Sequence, residues 1–170
     1  TKSNYASILT MQLDIAKTTI FKEAKSVSQS IKIKGITIRN FKSLFDVSFE
    51  TGNVNVFIGA NGSGKTSVLE AIGVLSAAMT DRVNNNSLQR KGVRLSTSSL
   101  YKSKFADIVK ESPTVEFSLK WGKDSHEYQY NTHLTAPVGD DSWKYHTESV
   151  SRDGIIVFGR SNRSKSHMNN

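Results

Sequence analysis

Residues 54–72 read VNVFIGANGSGKTSVLEAI, and no other stretch restricts the fold of this chain so tightly. Gly59, Gly64, Lys65 and Thr66 satisfy the spacing G-x-x-x-x-G-K-[ST], a loop whose backbone N–H groups cradle phosphates. Val54, Val56 and Ile58 alternate ahead of it, which predicts a strand with one apolar face. Val68, Leu69, Ile72, Leu75 and Met79 follow at helical spacing, so the loop is expected at a strand-to-helix turn. Glycines at 59, 62 and 64 let the backbone turn its N–H groups inward with no side chain in the way, and the helix starting near Lys65 adds the positive end of its dipole. Lys65 is a point charge suited to the β- and γ-phosphates of a nucleoside triphosphate. The Thr66 hydroxyl suits Mg2+, a hard cation that keeps waters and bridges phosphate oxygens.

The remainder of the composition reads as a soluble globular chain. Its 170 residues are 36% hydrophobic and 22% charged, enough for one domain with a core. No membrane partner is expected, because TSVLEAIGVLSAAMT contains Glu70 and is too short to cross a bilayer. The absence of cysteine excludes disulfides and thiolate metal sites and fits a cytoplasmic location. His126, His133, His146 and His167 lack metal-binding spacing, so scattered surface histidines are expected rather than a zinc site. A net charge of +8 attracts phosphate-bearing partners or merely keeps the chain in solution, and charge alone does not decide between them.

Along the chain, three regions separate. Over residues 1–30, Ala6, Leu9, Leu13, Ala16, Ile20, Ala24 and Val27 recur in steps of three or four, predicting an amphipathic helix suited to docking or self-association. Residues 31–160 carry the domain. IKIKGITIRNF alternates, slips phase at Gly35 and alternates again, as a bulged strand does. Phe45, Val47 and Phe49 mark a second strand, and residues 81–111 read as loop with a short helix. Val115, Phe117, Leu119 and Trp121 pair with Tyr128, Tyr130 and Thr132 about the turn GKDS, and WKYHTESVS pairs with IIVFGR about Asp153-Gly154; both are predicted hairpins, within residues 114–158. The hairpin tyrosines suit the core better than base stacking. Residues 161–170 are expected to be an exposed tail.

ITIRNFKSL, the second strand and the glycine loop together resemble the N-terminal lobe of the ABC-type ATPase heads of SMC and RecF proteins, OLD-type nucleases and related AAA-labelled bacterial ATPases. The similarity runs from Ile33 to Leu75. It implies an α/β P-loop NTPase lobe of ABC type with an antiparallel β subdomain and an N-terminal helix. It also implies ATP and Mg2+ as cofactors, ATP hydrolysis by the complete protein, and a homodimer or higher assembly formed through the heads. The implied partners are a nuclease or other effector, as in antiphage defence, and DNA or RNA. The implied nucleotide set is Gly59, Ala60, Asn61, Gly62, Ser63, Gly64, Lys65, Thr66 and Ser67, with Thr66 on the metal. RNFKS would add Arg39, Asn40, Lys42 and Ser43 near adenine or phosphate. Glu70 within TSVLEAIGVL departs from the usual helix of ABC transporter subunits; a transporter subunit and a non-hydrolysing ATP-sensing scaffold stand as the alternatives.

Hydrolysis in such heads also needs a Walker B strand, four apolar residues ending in Asp and then a catalytic Glu, and a signature loop that meets the partner's nucleotide. Asp81 is followed by Arg82, Asp140-Asp141 follow APVG, and LSTSS at 95–99 matches the signature poorly. No catalytic residue is therefore assigned in this stretch, which is expected to hold ATP without cleaving it alone. Arg82, Arg90, Lys91 and Arg94 form a loose basic group that either meets nucleic acid or a partner, or solvates the surface.

Overall fold

The computed structural model describes residues 31–80, 82–103, 114–136 and 142–161. The chain divides into two compact units, Thr1–Ile31 and Lys32–Asn170, and all described elements belong to the second. The expected helix over residues 1–30, the tail from 162 onward, Asp81 and the pair Asp140-Asp141 lie outside the described residues.

Six strands form one antiparallel sheet: β1 (Lys32–Phe41), β2 (Leu44–Glu50), β3 (Val115–Lys123), β4 (His126–Thr135), β5 (Lys144–Arg152) and β6 (Ile155–Ser161), in the order β2-β1-β3-β4-β5-β6. The predicted phase slip in β1 is a bulge, with the β1–β3 register shifting between Ile33 and Gly35. Both predicted hairpins form. Asp124 (φ 53°) and Ser125 (φ 66°) close β3–β4, and Asp153 (φ 50°) and Gly154 (φ 80°) close β5–β6. Two consecutive positive φ values match the twist of the flanking strands, which is why Asp, Ser and Gly serve there.

One face of the sheet is apolar and carries the helix α1 (Lys65–Thr80), which packs on β1 and β3. Ile36, Ile38, Phe41, Val115, Phe117, Tyr130 and Leu134 face it from the strands, while Val68, Ala71, Val74, Leu75, Ala77 and Ala78 face them from α1. The small residues permit close approach: a Cβ on Gly73 would lie 2.6 Å from Val93 Cγ2 and 2.8 Å from the Lys91 carbonyl. The opposite face of the sheet is polar, with Thr37 and Ser48 hydroxyls 2.8 Å apart and Gln129 donating to Ser118 and Asn131. The tyrosines follow the core reading, since Tyr130 is buried and Tyr128 stacks on Trp121 with centroids 5.5 Å apart.

Between α1 and β3 lie two short helices, α2 (Asn85–Arg90) and α3 (Ser98–Tyr101). Asn84 caps α2 by accepting from Ser87 N at 2.9 Å, and Ser87 Oγ accepts from Asn84 N at 3.0 Å, a reciprocal box that satisfies two otherwise orphaned donors. Tyr101 at the end of α3 packs edge-on against Trp143, centroids 4.9 Å apart.

Two expectations are corrected. Val54, Val56 and Ile58 do not form a strand: they are 81%, 74% and 92% exposed, and the segment pairs with none of the six strands. Alternation needs a hydrogen-bonded neighbour and a covered face to become a strand, and the residue that packs here is of the opposite phase, Phe57, edge-on against Phe49 at 5.4 Å. In α1, Leu69 is 60% exposed, whereas Glu70 is buried with 2% exposure. The apolar stripe is offset from the predicted one because a paired carboxylate occupies part of it.

Candidate functional site

The glycine loop runs from Gly59 into the first turn of α1. Ser63 N donates to the Ala60 carbonyl at 3.2 Å, and Val68 N to the Gly64 carbonyl at 3.0 Å. Gly62 (φ 83°) and Gly64 (φ 94°) adopt left-handed backbone that favours glycine. A Cβ on Gly64 would sit 3.1 Å from Leu44 Cδ2 and 3.2 Å from Ser43 Oγ, so the loop is seated on the β1–β2 turn; over Gly62 the space is open.

Lys65 Nζ donates to the carbonyls of Gly59 and Ala60, both at 2.7 Å, and lies 3.4 Å from Ser63 Oγ. The ammonium thus sits within the loop's curve on neutral acceptors. A phosphate oxygen competes well for such donors, because bonds between two charged groups are shorter and roughly twice as strong. Thr66 is exposed, and its hydroxyl has no partner among the described residues. An exposed hydroxyl oxygen, an ammonium on exchangeable acceptors and open space over a positive-φ glycine fit a Mg2+–triphosphate.

Of the four candidates in RNFKS, the fold brings Ser43 to the end of the loop and Lys42 to α1 just beyond it. Ser43 Oγ lies 2.9 Å from Ser67 Oγ. Lys42, in a positive-φ turn position (φ 52°), reaches Glu70 Oε2 at 2.7 Å and lies 5.6 and 5.3 Å from the Phe41 and Tyr101 ring centroids. The other two are engaged elsewhere: Arg39 pairs with Asp46 at 3.1 Å across the strands, and Asn40 Nδ2 donates to the Thr114 carbonyl at 2.8 Å.

Glu70 organises the neighbourhood. Its Oε2 takes Lys42, while its Oε1 accepts Arg94 Nε at 2.8 Å and Arg94 N at 3.2 Å. Burial works to raise its pKa, but the hydrogen bonds from Arg94 and Lys42 and the charge of Lys42 outweigh burial and hold the carboxyl below its ordinary value. Arg94 therefore leaves the predicted basic group for this network, whereas Arg82, Arg90 and Lys91 are exposed after α1 and at the end of α2. Beside these residues opens a cleft of about 540 Å³, lined by Lys42, Ser43, Ser67, Arg94, Leu95, Ser96, Leu100 and Lys102.

Residues 31–134, from the start of β1 through β4, match the AAA ATPase domain family. The chain belongs to that family. Its curated relatives include the DNA replication and repair protein RecF of Oenococcus oeni, 49% identical over 57 residues, 34% of this chain and 14% of that protein. The RecF proteins of Lactococcus lactis subsp. cremoris and Clostridioides difficile are 30% and 33% identical over 84 and 72 residues, covering 48% and 42% of this chain. The chain spans under a quarter of the length of each, 14%, 23% and 19%. The glycine loop, residues 59–67, lies within the family match. Among the described residues no helix is long and apolar enough to cross a membrane.

Proposed function

We propose that this domain binds ATP–Mg2+ on the loop Gly59–Ser67 and, within the complete protein, turns it over to drive action on nucleic acid. The observation that carries this reading is Lys65 Nζ held inside the loop on two carbonyls at 2.7 Å, next to the exposed Thr66, whose hydroxyl has no partner among the described residues. Lys65 exchanges those carbonyls for β- and γ-phosphate oxygens, Thr66 ligates the Mg2+, and the first N–H groups of α1 face the same charge. When bound there, Mg2+ would supply positive charge against the phosphates. The catalytic base and signature loop come from outside this stretch, which alone is inactive, and the heads assemble as a homodimer or larger. A nuclease or other effector, as in antiphage defence, is the finer form of this reading and rests on the resemblance to OLD-type nucleases and AAA-labelled bacterial ATPases.

The RecF relatives favour a nucleic-acid target over transport. Arg82, Arg90 and Lys91 are the exposed cations for phosphate contact. Replacing these three with alanine in the complete protein should flatten the log–log dependence of DNA affinity on salt by about 0.9 per lost phosphate contact and leave ATP affinity unchanged. Turnover that responds to DNA in the parent protein supports the coupling. An unchanged slope between ~50 and 200 mM salt, with turnover indifferent to DNA, overturns the nucleic-acid part and leaves a protein-gated or transport role.

A further inference from the structure

We propose that Ser103 is a positioning residue for the glycine loop: from the segment after α3 it clamps the β1–β2 turn, residues 40–43, and the clamped turn is the seat of Gly64 just ahead of Lys65. This rests on the reading that the loop holds the triphosphate. It adds a determinant of nucleotide affinity that lies outside the loop, on a side chain 2% exposed.

The turn does not keep its shape by local preference. Asn40 (φ 57°) and Lys42 (φ 52°) both lie in the left-handed region, where the Cβ of an L-residue crowds the carbonyl that follows. The short amide of Asn eases that conflict, whereas Lys has no such means. Backbone of this kind persists only where its surroundings over-determine it, and here they do. Lys42 N donates to the Tyr101 carbonyl at 2.9 Å and Ser103 N to the Asn40 carbonyl at 3.3 Å, which makes an antiparallel bridge of Phe41 with Lys102. The Asn40 amide reaches the Thr114 carbonyl and the Lys42 ammonium reaches Glu70. Ser103 Oγ then donates to the Leu44 carbonyl at 2.7 Å, a buried bond between residues 59 positions apart.

Ser43 and Leu44 carry the clamp to the loop. A Cβ on Gly64 would lie 3.1 Å from Leu44 Cδ2 and 3.2 Å from Ser43 Oγ, and Ser43 Oγ lies 2.9 Å from Ser67 Oγ on the far side of Thr66. The turn therefore touches the phosphate loop both before Lys65 and after Thr66. Filling the core is the work of Tyr101, whose ring packs on Phe41 and Trp143. Ser103 contributes one hydroxyl, and it holds the residue that backs Gly64. When that hold is lost, the turn relaxes toward ordinary backbone and Leu44 withdraws from Gly64.

Titration of ATP–Mg2+ into the complete protein and its Ser103→Ala variant, well below their melting temperatures, measures the coupling. Ser103→Ala should weaken ATP–Mg2+ about fivefold, within what the loss of one neutral hydrogen bond can transmit. Ser87→Ala is the control, because it removes an equally buried serine hydroxyl whose bonds are to Asn84 at the start of α2. It should lower the melting temperature and leave ATP affinity unchanged. Equal weakening in both variants means that affinity merely follows stability and overturns the proposal, as does a folded Ser103→Ala variant that binds as the parent does. Hydrogen exchange on the parent protein reads the same coupling without a substitution. If opening of the turn and binding of ATP exclude each other, the amides of Lys42 and Ser103 should exchange about tenfold more slowly at about ten times the Kd of ATP–Mg2+. Asp153 N, bonded to the Glu127 carbonyl at the β5–β6 turn, should exchange as before. Unchanged exchange at Lys42 and Ser103, or equal slowing at Asp153, overturns the proposal while the loop reading stands. A parent protein that binds no ATP–Mg2+ overturns the loop reading and this inference with it.

Discussion

Glu70 satisfies two cations with one carboxylate at 2% exposure, and the sequence gives little warning of it. An acid inside a helical pattern ordinarily marks the solvent face, and its partners, Lys42 and Arg94, lie 28 and 24 positions away. Only the fold closes those distances. Because the folded pKa lies below the ordinary carboxylate value, the network stabilises the protein above that value and loses its effect as pH falls through the folded pKa. Glu70→Gln should cost about 2 kcal/mol at neutral pH, less than the ~3–5 kcal/mol of a fully buried pair because Arg94 keeps access to water. Denaturant titrations at several pH values should show the gap closing below about pH 4. A gap independent of pH would mean that shape, not charge, makes Glu70 matter.

Among the elements, those that pair locally were legible and those that depend on distant partners were not. The two hairpins followed from alternation and from Asp124-Ser125 and Asp153-Gly154, since a two-residue turn fixes register within a few residues. Val54, Val56 and Ile58 show the same alternation, yet the segment is hydrogen-bonded to no strand of the sheet. The helix α1 was legible in extent, but its buried face depends on the segment around Val93, which crosses it at Gly73. Gly73→Ala makes this measurable. In a free helix the change stabilises by up to ~1 kcal/mol, but here the new methyl would lie 2.8 Å from a backbone carbonyl and 2.6 Å from the buried Val93. Overpacking should dominate and destabilise by about 1–3 kcal/mol, read as a lower denaturation midpoint at unchanged m-value. A more stable variant would show that this segment does not pack across α1 as described.

At the scale of the whole domain, α1 connects two regions of different chemistry. Its first turn closes the glycine loop. Near its other end the Ala78 carbonyl accepts from the Tyr145 hydroxyl at 3.2 Å, beside a buried cluster in which Tyr130 donates to Glu148 at 2.7 Å and Arg160 pairs with Glu148 at 2.8 Å. Burial, then the charge of Glu148, pushes the Tyr130 pKa up, so this hydroxyl remains a donor throughout the working pH range. The sheet is thereby tied to the helix that carries Lys65. The glycine spacing made the loop's place in the chain readable from sequence, but the companions of Lys65 arise from folding. Lys65 is also the residue on which the functional account turns. Isothermal titration of ATP–Mg2+ into the complete protein and its Lys65→Ala variant is therefore the most direct measurement. The loop assignment predicts that Lys65→Ala folds as the parent does and binds ATP–Mg2+ on the order of ten- to a hundredfold more weakly, whereas equal affinity in a folded variant would contradict it.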